Sequence, residues 1–255
     1  VFLSACLALQ PDLPSPVAAE TRNLLVVYTG NLLAELKPCG CAKEEDQGGI
    51  GRRMQYLNDI RKSNPNLLLV DTGDHFKEPT RQGKLKAETL MTATERMGYD
   101  AVALGERDLV YGSKFLEDQP ISFISSNLML ENFSLKKTRI KRLSNGLKIA
   151  VLAVVDPDLF YLKNHAGLSI ADPEQTVSRK IKGIQNSADI IILLTHMEKE
   201  KALKYLDKDG VDIVINGHIS SETEIVDMKP AYKARKVFVQ ASPRGQKMGE
   251  LQITL

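Results

Sequence analysis

Short runs of apolar residues alternate along the chain with stretches in which apolar residues recur every three or four positions. The continuous runs end at glycine or polar residues and predict buried strands at 24–28, 67–70, 101–104, 121–125, 149–155, 190–194 and 213–215. The helical spacing predicts helices at 52–62, 87–97 and 173–185. Two last runs, at 236–240 and 249–254, have the alternation expected of a pair of strands at sheet edges.

The repeated order of strand, helix and strand predicts an α/β layer architecture with largely parallel pairing, because parallel neighbours need crossover helices. No composition break or low-complexity linker divides residues 20–255, and we expect a single domain there. In folds of this kind, the loops at the carboxyl ends of the strands carry most ligand-binding residues. We therefore expect the functional residues in those loops.

The first nineteen residues differ in character from the rest of the chain. Residues 1–9 are apolar, and a proline-rich spacer follows that ends with Val17 and Ala19, the small residues expected to flank a signal-peptide cleavage site. The sequence around Cys6 also resembles a bacterial lipoprotein acylation site, although a frayed apolar terminus is an alternative. We expect residues 1–19 to be a partial signal peptide or lipoprotein leader, and the protein to be periplasmic or on an outer surface.

Composition narrows the function classes. The 255 residues are 43% hydrophobic and 26% charged, which excludes disorder as the main state. With 34 Lys and Arg against 32 Asp and Glu, the net charge of +2 favours neither a nucleic-acid polymer nor a membrane surface as the partner. After the first ten residues, no stretch reaches the roughly 18 uncharged apolar residues of a membrane span.

Acids and histidines follow four of the predicted strands, at Asp74, Glu106, His196 and His218. A histidine at a strand end can be a polar terminus bonded to backbone. Here the two occur together with carboxylates at matching strand ends, and this predicts a metal site, because imidazole and carboxylate are the usual ligands of zinc, manganese and iron. His75 could be a further ligand or the partner of one. His165 lies in a polar loop and is expected to have no role, and the charged run at 198–201 predicts a solvated face.

Cys39 and Cys41 are separated by a single glycine. A disulfide across one residue would be strained, because bridged cysteines need particular separations and dihedral angles. The pair is therefore interpreted as thiolates of a metal or redox site, with incidental loop cysteines as the alternative.

Several motifs occur in a fixed order along 24–255: Val-Asp-Thr-Gly-Asp-His at 70–75, Gly-Tyr-Asp-Ala-Val-Ala-Leu-Gly at 98–105, Leu-Thr-His at 194–196, Ile-Asn-Gly-His at 215–218 and Gln-Ala-Ser at 240–242. They resemble the calcineurin-type metallophosphoesterases. Gly-Gly-Ile-Gly-Arg-Arg at 48–53 narrows the resemblance to the catalytic N-terminal domain of the 5'-nucleotidase group. The resemblance implies a four-layer α/β/β/α sandwich over 20–255, with two metal ions that activate a water against a phosphate ester. It also implies that the group's C-terminal substrate domain is missing.

The chain departs from that family at several ligand positions. The family's first strand ends in Asp-x-His, both ligands of the first metal, where this chain has Asn31 and Leu33. Glu106 stands at the ligand asparagine, and Arg107 stands at the histidine that protonates the leaving group. Ser220 replaces the second histidine of the closing motif. The resemblance thus implies that the first metal site is lost.

The second metal site keeps its ligands, which the resemblance places at Asp74, Glu106, His196 and His218. We therefore predict an altered, mononuclear site for one zinc, manganese or iron ion. The loop with Cys39 and Cys41 follows the first strand, on the side where the family has its Asp-x-His. Its thiolates could therefore approach this site as additional ligands, which would favour zinc or iron.

Roles for the remaining candidates follow from their chemistry. Arg107 is expected to orient phosphate, with Asp108 as its ion-pair partner in the catalytic machinery, although that ion pair could be purely structural. Because arginine does not give up its proton, leaving-group protonation is assigned to water or His75. Arg52 and Asn127 are assigned to substrate binding, although Arg52 could be an ordinary exposed residue.

Three functions remain open at this point. The first is an exported, metal-dependent phosphoesterase that hydrolyses nucleotides or other small phosphate monoesters. The second is a non-catalytic module that binds metal or phosphate on the same fold. The third is a redox or metal-handling protein centred on Cys39 and Cys41.

Overall fold

The computed structural model describes residues 21–38, 46–160, 167–220 and 227–255. The predicted leader with Cys6, the cysteine pair and His165 lie outside the described residues. The strands of the described ranges are β1 (Asn23–Thr29), β2 (Leu67–Asp71), β3 (Ala101–Ala103), β4 (Phe123–Ile124), β5 (Leu128–Leu130), β6 (Arg139–Arg142), β7 (Lys148–Val155), β8 (Leu168–Ile170), β9 (Ile190–His196), β10 (Ile213–Asn216), β11 (Ala231–Lys233), β12 (Lys236–Gln240) and β13 (Gly249–Thr254). The α-helices are α1 (Ile50–Ser63), α2 (Arg81–Met97), α3 (Ser113–Glu117), α4 (Pro173–Ile184) and α5 (Lys199–Leu203).

Most of these strands belong to two sheets. The first has the order β13-β1-β2-β3-β4, and the second has the order β11-β12-β10-β9-β7-β6. The inner strands of both sheets pair in parallel, whereas β13, β11 and β6 add antiparallel at the edges. β5 and β8 form a separate antiparallel pair. The largely parallel pairing predicted from the alternation of elements is confirmed.

The two sheets pack face to face because their inner strands are apolar on both sides. In β1, Leu24 and Val26 face the second sheet, where they join a core with Ile149 and Val151 of β7. The alternate β1 residues pack with side chains of α1 and α2. The outer face of the second sheet packs against α4 and α5. Helices, two sheets and helices thus form four layers, which confirms the predicted α/β/β/α sandwich and its single domain.

Each strand and helix predicted from the sequence has a counterpart, with ends that differ by a few residues. The prediction of sheet edges for the last two strands is wrong for 236–240, since β12 lies inside the second sheet, and is confirmed for 249–254, since β13 is at the edge of the first. α2 begins earlier than predicted because the Thr80 side chain accepts a hydrogen bond from the Gly83 N–H and caps the helix. None of the described helices combines the length and the apolar character needed to cross a membrane.

Candidate metal centre

Four predicted ligands meet at one edge of the sandwich. Asp74 follows β2, Glu106 follows β3, His196 ends β9 and His218 follows β10. One ligand atom from each residue lies within 4.8 Å of the ligand atoms of the others. Within each sheet the two strands are parallel neighbours, so their carboxyl ends meet at one edge. The structure therefore brings together the four residues that the sequence indicated, which we call the quartet.

The close approach within the quartet depends on Gly105. A Cβ atom at this position would lie 2.2 Å from Asp74 Oδ1 and 2.6 Å from His196 Cε1. Any side chain at Gly105 would therefore occupy the space between two ligands. Asp74 has a left-handed backbone with φ of 60°. Its N–H donates a hydrogen bond to Asp108 Oδ2 at 2.9 Å, which holds this conformation in place.

The quartet concentrates charge in a buried space. His196 Nε2 lies 2.8 Å from Glu106 Oε2 and 3.4 Å from Asp74 Oδ2. Burial by itself would lower the pKa of His196, but the two carboxylates outweigh it and raise that pKa well above its ordinary value. Burial would likewise raise the pKa of Glu106, which the facing histidines hold well below its usual range. Burial and the charge of Glu106 raise the pKa of Asp74, against the opposing effect of His196.

The donor set fits a divalent metal ion. Glu106 Oε2, His196 Nε2 and His218 Nδ1 are buried and make no well-oriented hydrogen bond to the described residues. Buried polar atoms without such partners are costly unless they bind something else. Two imidazole nitrogens and two carboxylate oxygens are a common set for zinc and are also used by manganese and iron.

Each histidine of the quartet is oriented by an oxygen atom that accepts a hydrogen bond from the ring nitrogen on the side away from the other ligands. His196 Nδ1 lies 2.8 Å from the Thr72 carbonyl oxygen, which can only accept, so Nδ1 carries a proton and Nε2 is the nitrogen that would bind a metal ion after losing its own proton. His218 Nε2 lies 3.2 Å from Glu198 Oε1, which directs Nδ1 toward Glu106. Glu198 Oε2 also accepts a hydrogen bond from Ser220. Such acceptors fix the ring orientation and tautomer of metal-binding histidines.

Glu198 was missed by the sequence analysis. The interpretation of 198–201 as a solvated face is wrong for Glu198, whose carboxylate contacts His218, whereas Lys201 is exposed and forms an ion pair with Asp156 at 2.5 Å. The position of Glu198 in the sequence could have indicated this role, because it comes two residues after His196, at the end of a strand.

We expect Glu198→Ala to weaken metal binding by about 10- to 100-fold, because His218 would lose the acceptor that orients its ring. The measurement is a competition titration of the metal against a chromophoric chelator. Glu200→Ala is the matched control, since Glu200 is an exposed acid in the short helix that begins directly after Glu198. Equal metal affinities for the two variants would show that Glu198 does not support the site.

His75 does not join the quartet. Its side chain has no exposed surface, and Nε2 lies 2.9 Å from Asp71 Oδ1 while Nδ1 lies 3.1 Å from Asp108 Oδ1. Burial would lower the pKa of His75, but Asp108 and Asp71 outweigh it and raise that pKa to about 10. Both ring nitrogens are thus held by carboxylates. The geometry gives His75 a structural role in place of the ligand or proton-donor role inferred from the sequence.

Asp108 supports the loops that carry the ligands. Its carboxylate accepts hydrogen bonds from the backbone N–H groups of Asp74, His75 and Gly105. This differs from the predicted ion pair with Arg107: the guanidinium Nε of Arg107 lies 3.6 Å from Asp74 Oδ2 instead. The Arg107 side chain is 32% exposed, so it borders the quartet and reaches solvent.

The other two residues assigned to substrate binding, Arg52 and Asn127, bond to groups outside the quartet. Asn127 is buried, its amide donates to the carbonyls of Val155 and Ala171, and its oxygen accepts from the Val155 N–H. These bonds occupy its polar atoms and give Asn127 a structural role. Arg52 is exposed in the first turn of α1 and donates to the Asp46 carbonyl at 2.8 Å.

The positions of the missing first-metal ligands still lie near the quartet. The backbone N–H groups of Asn31 and Leu33 donate to the carbonyls of Gly73 and Asp74. Leu33 is buried with an apolar side chain, and Ser220 is exposed and bonded to Glu198. The first strand therefore approaches the centre as the resemblance implies, but it brings no histidine or carboxylate there.

Comparisons with known proteins agree with this fold. No family model matches the chain. A 5'-nucleotidase of Diplobatis ommata is 26% identical over 221 residues, which cover 77% of this chain and 37% of the relative. The crystal structure of a 5'-nucleotidase precursor from Thermus thermophilus has a TM-score of 0.78 at 19% identity, over 92% of this chain and 52% of that one. The crystal structure of the calcineurin-like phosphoesterase YfkN of Bacillus subtilis has a TM-score of 0.72 at 22% identity, over 92% of this chain and 86% of that one. The chain spans less than half the length of the curated relatives it matches.

Proposed function

We propose that this chain, which is similar to the 5'-nucleotidase group of the calcineurin-type metallophosphoesterases in sequence and in fold, is a metal-dependent phosphoesterase. Its substrates would be nucleotides or other small phosphate monoesters, as the names of its relatives indicate. The observation that carries the proposal is the convergence of the quartet from four separate loops at the carboxyl ends of the strands. Similar donor sets hold the metal ions of hydrolytic enzymes.

We propose that the site holds one ion. Leu33 and Ser220 offer no strong ligand at the positions where the family has histidines. The quartet by itself supplies four donors to one ion, which would leave a position for a water or a phosphoryl oxygen if the ion takes five or six ligands. When bound, this ion would polarise a phosphoryl oxygen and lower the pKa of a coordinated water.

The residues around the quartet determine what else the site can do. Arg107 places a fixed positive charge beside Asp74 and can grip a phosphate with two N–H groups. It cannot protonate a leaving group, and His75 is enclosed by two carboxylates. General acid catalysis contributes about 10²- to 10⁴-fold, so hydrolysis should favour esters whose leaving group needs no proton.

The test is metal analysis and hydrolysis with one preparation, purified without added metal. We expect about one equivalent of zinc, manganese or iron. We also expect release of p-nitrophenol from p-nitrophenyl phosphate at least about 100-fold faster than release of phosphate from a nucleoside 5'-monophosphate. A chelator should remove the activity, and the metal should restore it. Metal-loaded protein that hydrolyses neither ester would contradict the proposal.

Metal-loaded protein without hydrolysis would favour a non-catalytic module that binds metal and phosphate. The observation behind this second candidate is Arg107, which occupies the place of the family's proton-donating histidine and makes binding easier to explain than turnover. Calorimetry would then show binding of the metal and of phosphate without hydrolysis.

We further propose that the protein is exported. Support comes from the apolar segment at 1–9 and the small residues before Glu20. Mass spectrometry of the mature N-terminus tests this: a chain that begins before residue 6 would contradict both a cleaved leader and acylation at Cys6.

A further inference from the structure

Three buried polar side chains form a row at the carboxyl ends of neighbouring strands in the second sheet. Thr195 is the second-last residue of β9, Asn216 is the last residue of β10, and Gln240 is the last residue of β12. Asn216 is paired with Thr195 on one side and with Gln240 on the other. All three residues are buried, and Asn216 has no exposed surface. We call these residues the polar row.

Hydrogen bonds join the polar row from strand to strand. Thr195 Oγ1 donates to Asn216 Oδ1 at 2.8 Å, and Asn216 Nδ2 donates to Gln240 Oε1 at 2.9 Å. Asn216 Nδ2 also donates to the Met197 carbonyl at 2.9 Å. Gln240 Nε2 donates to the His218 carbonyl at 3.1 Å. The row therefore bonds to two carbonyls outside it, one from each of two loops.

The two carbonyls belong to the loops that carry the imidazole ligands. Met197 lies between His196 and Glu198 in the chain, so its carbonyl joins a ligand to the acceptor that orients His218. The second carbonyl is that of His218 itself. The polar row thus holds the backbone beside both histidines, whereas the carbonyl of Thr72 and the carboxylate of Glu198 orient their rings.

Packing of the second sheet does not by itself explain polar residues at these positions. Residues 190–194 of β9 and 213–215 of β10, which precede the row, are buried and apolar. Replacing buried hydrogen-bonded partners together by apolar groups of similar shape changes stability little. Hydrogen bonds differ from apolar contacts in being directional, so they fix the positions of the groups that they join. The row therefore provides what two ligand loops need and what packing does not supply.

We propose that Asn216 and Gln240 are positioning residues of the metal centre, which act through the backbone beside His196 and His218. The two imidazoles come from adjacent strands, and the polar row sets how their loops lie relative to each other. Groups that orient metal ligands raise the metal affinity of the site, so loss of the row should weaken binding and change the coordination geometry. This role rests on the metal-dependent function proposed above and adds to it the residues that set the ligand geometry.

The test is titration of metal-free protein with Co²⁺, whose visible absorption reports both the affinity and the geometry of its ligands. We expect Asn216→Leu and Gln240→Met each to weaken Co²⁺ binding by about tenfold and to change the visible spectrum. Because the two residues bond to each other, the double variant should weaken binding less than the product of the two single effects. Urea unfolding of each metal-free variant measures the change in stability separately. If Asn216→Leu does not fold, Gln240→Met decides, because it removes the bond to the His218 carbonyl and keeps the bond to Met197.

Asn145→Leu is the matched control, because the Asn145 side-chain amide also bonds to two backbone groups, the Asn23 carbonyl and the Leu147 N–H. Asn145 lies in the turn before β7, at the ends of the strands opposite the metal centre, and the variant should change the Co²⁺ affinity less than twofold. Variants of the polar row that lose stability but keep the wild-type affinity and spectrum would overturn the positioning role and leave the metal centre intact. Wild-type protein that binds no Co²⁺ would contradict the metal centre itself, and the positioning role with it.

Discussion

Replacing His75 by alanine is expected to lower the free energy of unfolding by about 3–5 kcal/mol, because two buried carboxylates would lose their shared counter-charge. Asp71 and Asp108 are fully buried and both lie within about 3 Å of the imidazole. Burial would raise the pKa of Asp71, yet the facing His75 holds it below its ordinary value. Without His75, these acids must either remain charged in a poor solvent or take up protons.

The pH dependence of this loss follows from the sign of the shift. The folded protein raises the pKa of His75 from 6.5 to about 10. Its stabilising contribution is therefore fully present below pH 6.5 and is lost as the pH rises through about 10. Urea unfolding of the wild type and of His75→Ala at about pH 6 and about pH 10 should show a smaller difference at the higher pH.

A double variant separates the charge effect from the loss of packing. Asp71→Asn combined with His75→Gln removes one charge of each sign and keeps side chains of similar size. We expect it to be more stable than the sum of the two single changes indicates, because the residues contact each other. Additive effects would show that the ion pair contributes nothing and that only packing matters.

His75 also shows why part of the site could not be predicted. His75 follows Asp74 directly, and for that reason the sequence was interpreted as placing both side chains in the same site. The left-handed backbone at Asp74 sends consecutive side chains in different directions, so Asp74 faces His196 while His75 turns toward Asp71. Backbone conformation at a single residue is not visible in a hydrophobic pattern.

The quartet was predictable because its placement depends on topology. Parallel pairing brings Asp74 and Glu106 together in the first sheet and His196 and His218 together in the second, and the packing of the two sheets brings the two pairs together. The partners that support the site depend on long-range contacts instead. Glu198 binds His218 across twenty positions, and Asn127 binds the backbone of Val155 across twenty-eight. Neither contact has a periodicity or a motif that would reveal it.

His196→Ala is expected to have the largest effect on function, lowering metal affinity by more than about 100-fold and hydrolysis with it. Loss of an orienting partner alone costs about 10- to 100-fold in affinity, and loss of the ligand itself should cost more. His196 is also the imidazole that lies closest to both carboxylates. Its removal would leave Asp74 and Glu106 facing each other, and they would bind protons in place of the ion.

Added imidazole distinguishes loss of the ligand from loss of the fold. His196 is 1% exposed, so the alanine variant contains a cavity of the shape of the missing ring beside Asp74 and Glu106. Free imidazole that enters it should restore part of the bound metal and part of the hydrolysis, because the remaining three ligands are unchanged. Glu200→Ala, which changes an exposed residue, should respond to imidazole in neither assay. A His196→Ala protein that keeps one equivalent of metal at wild-type affinity would show that the ion, and therefore the chemistry proposed for it, lies elsewhere.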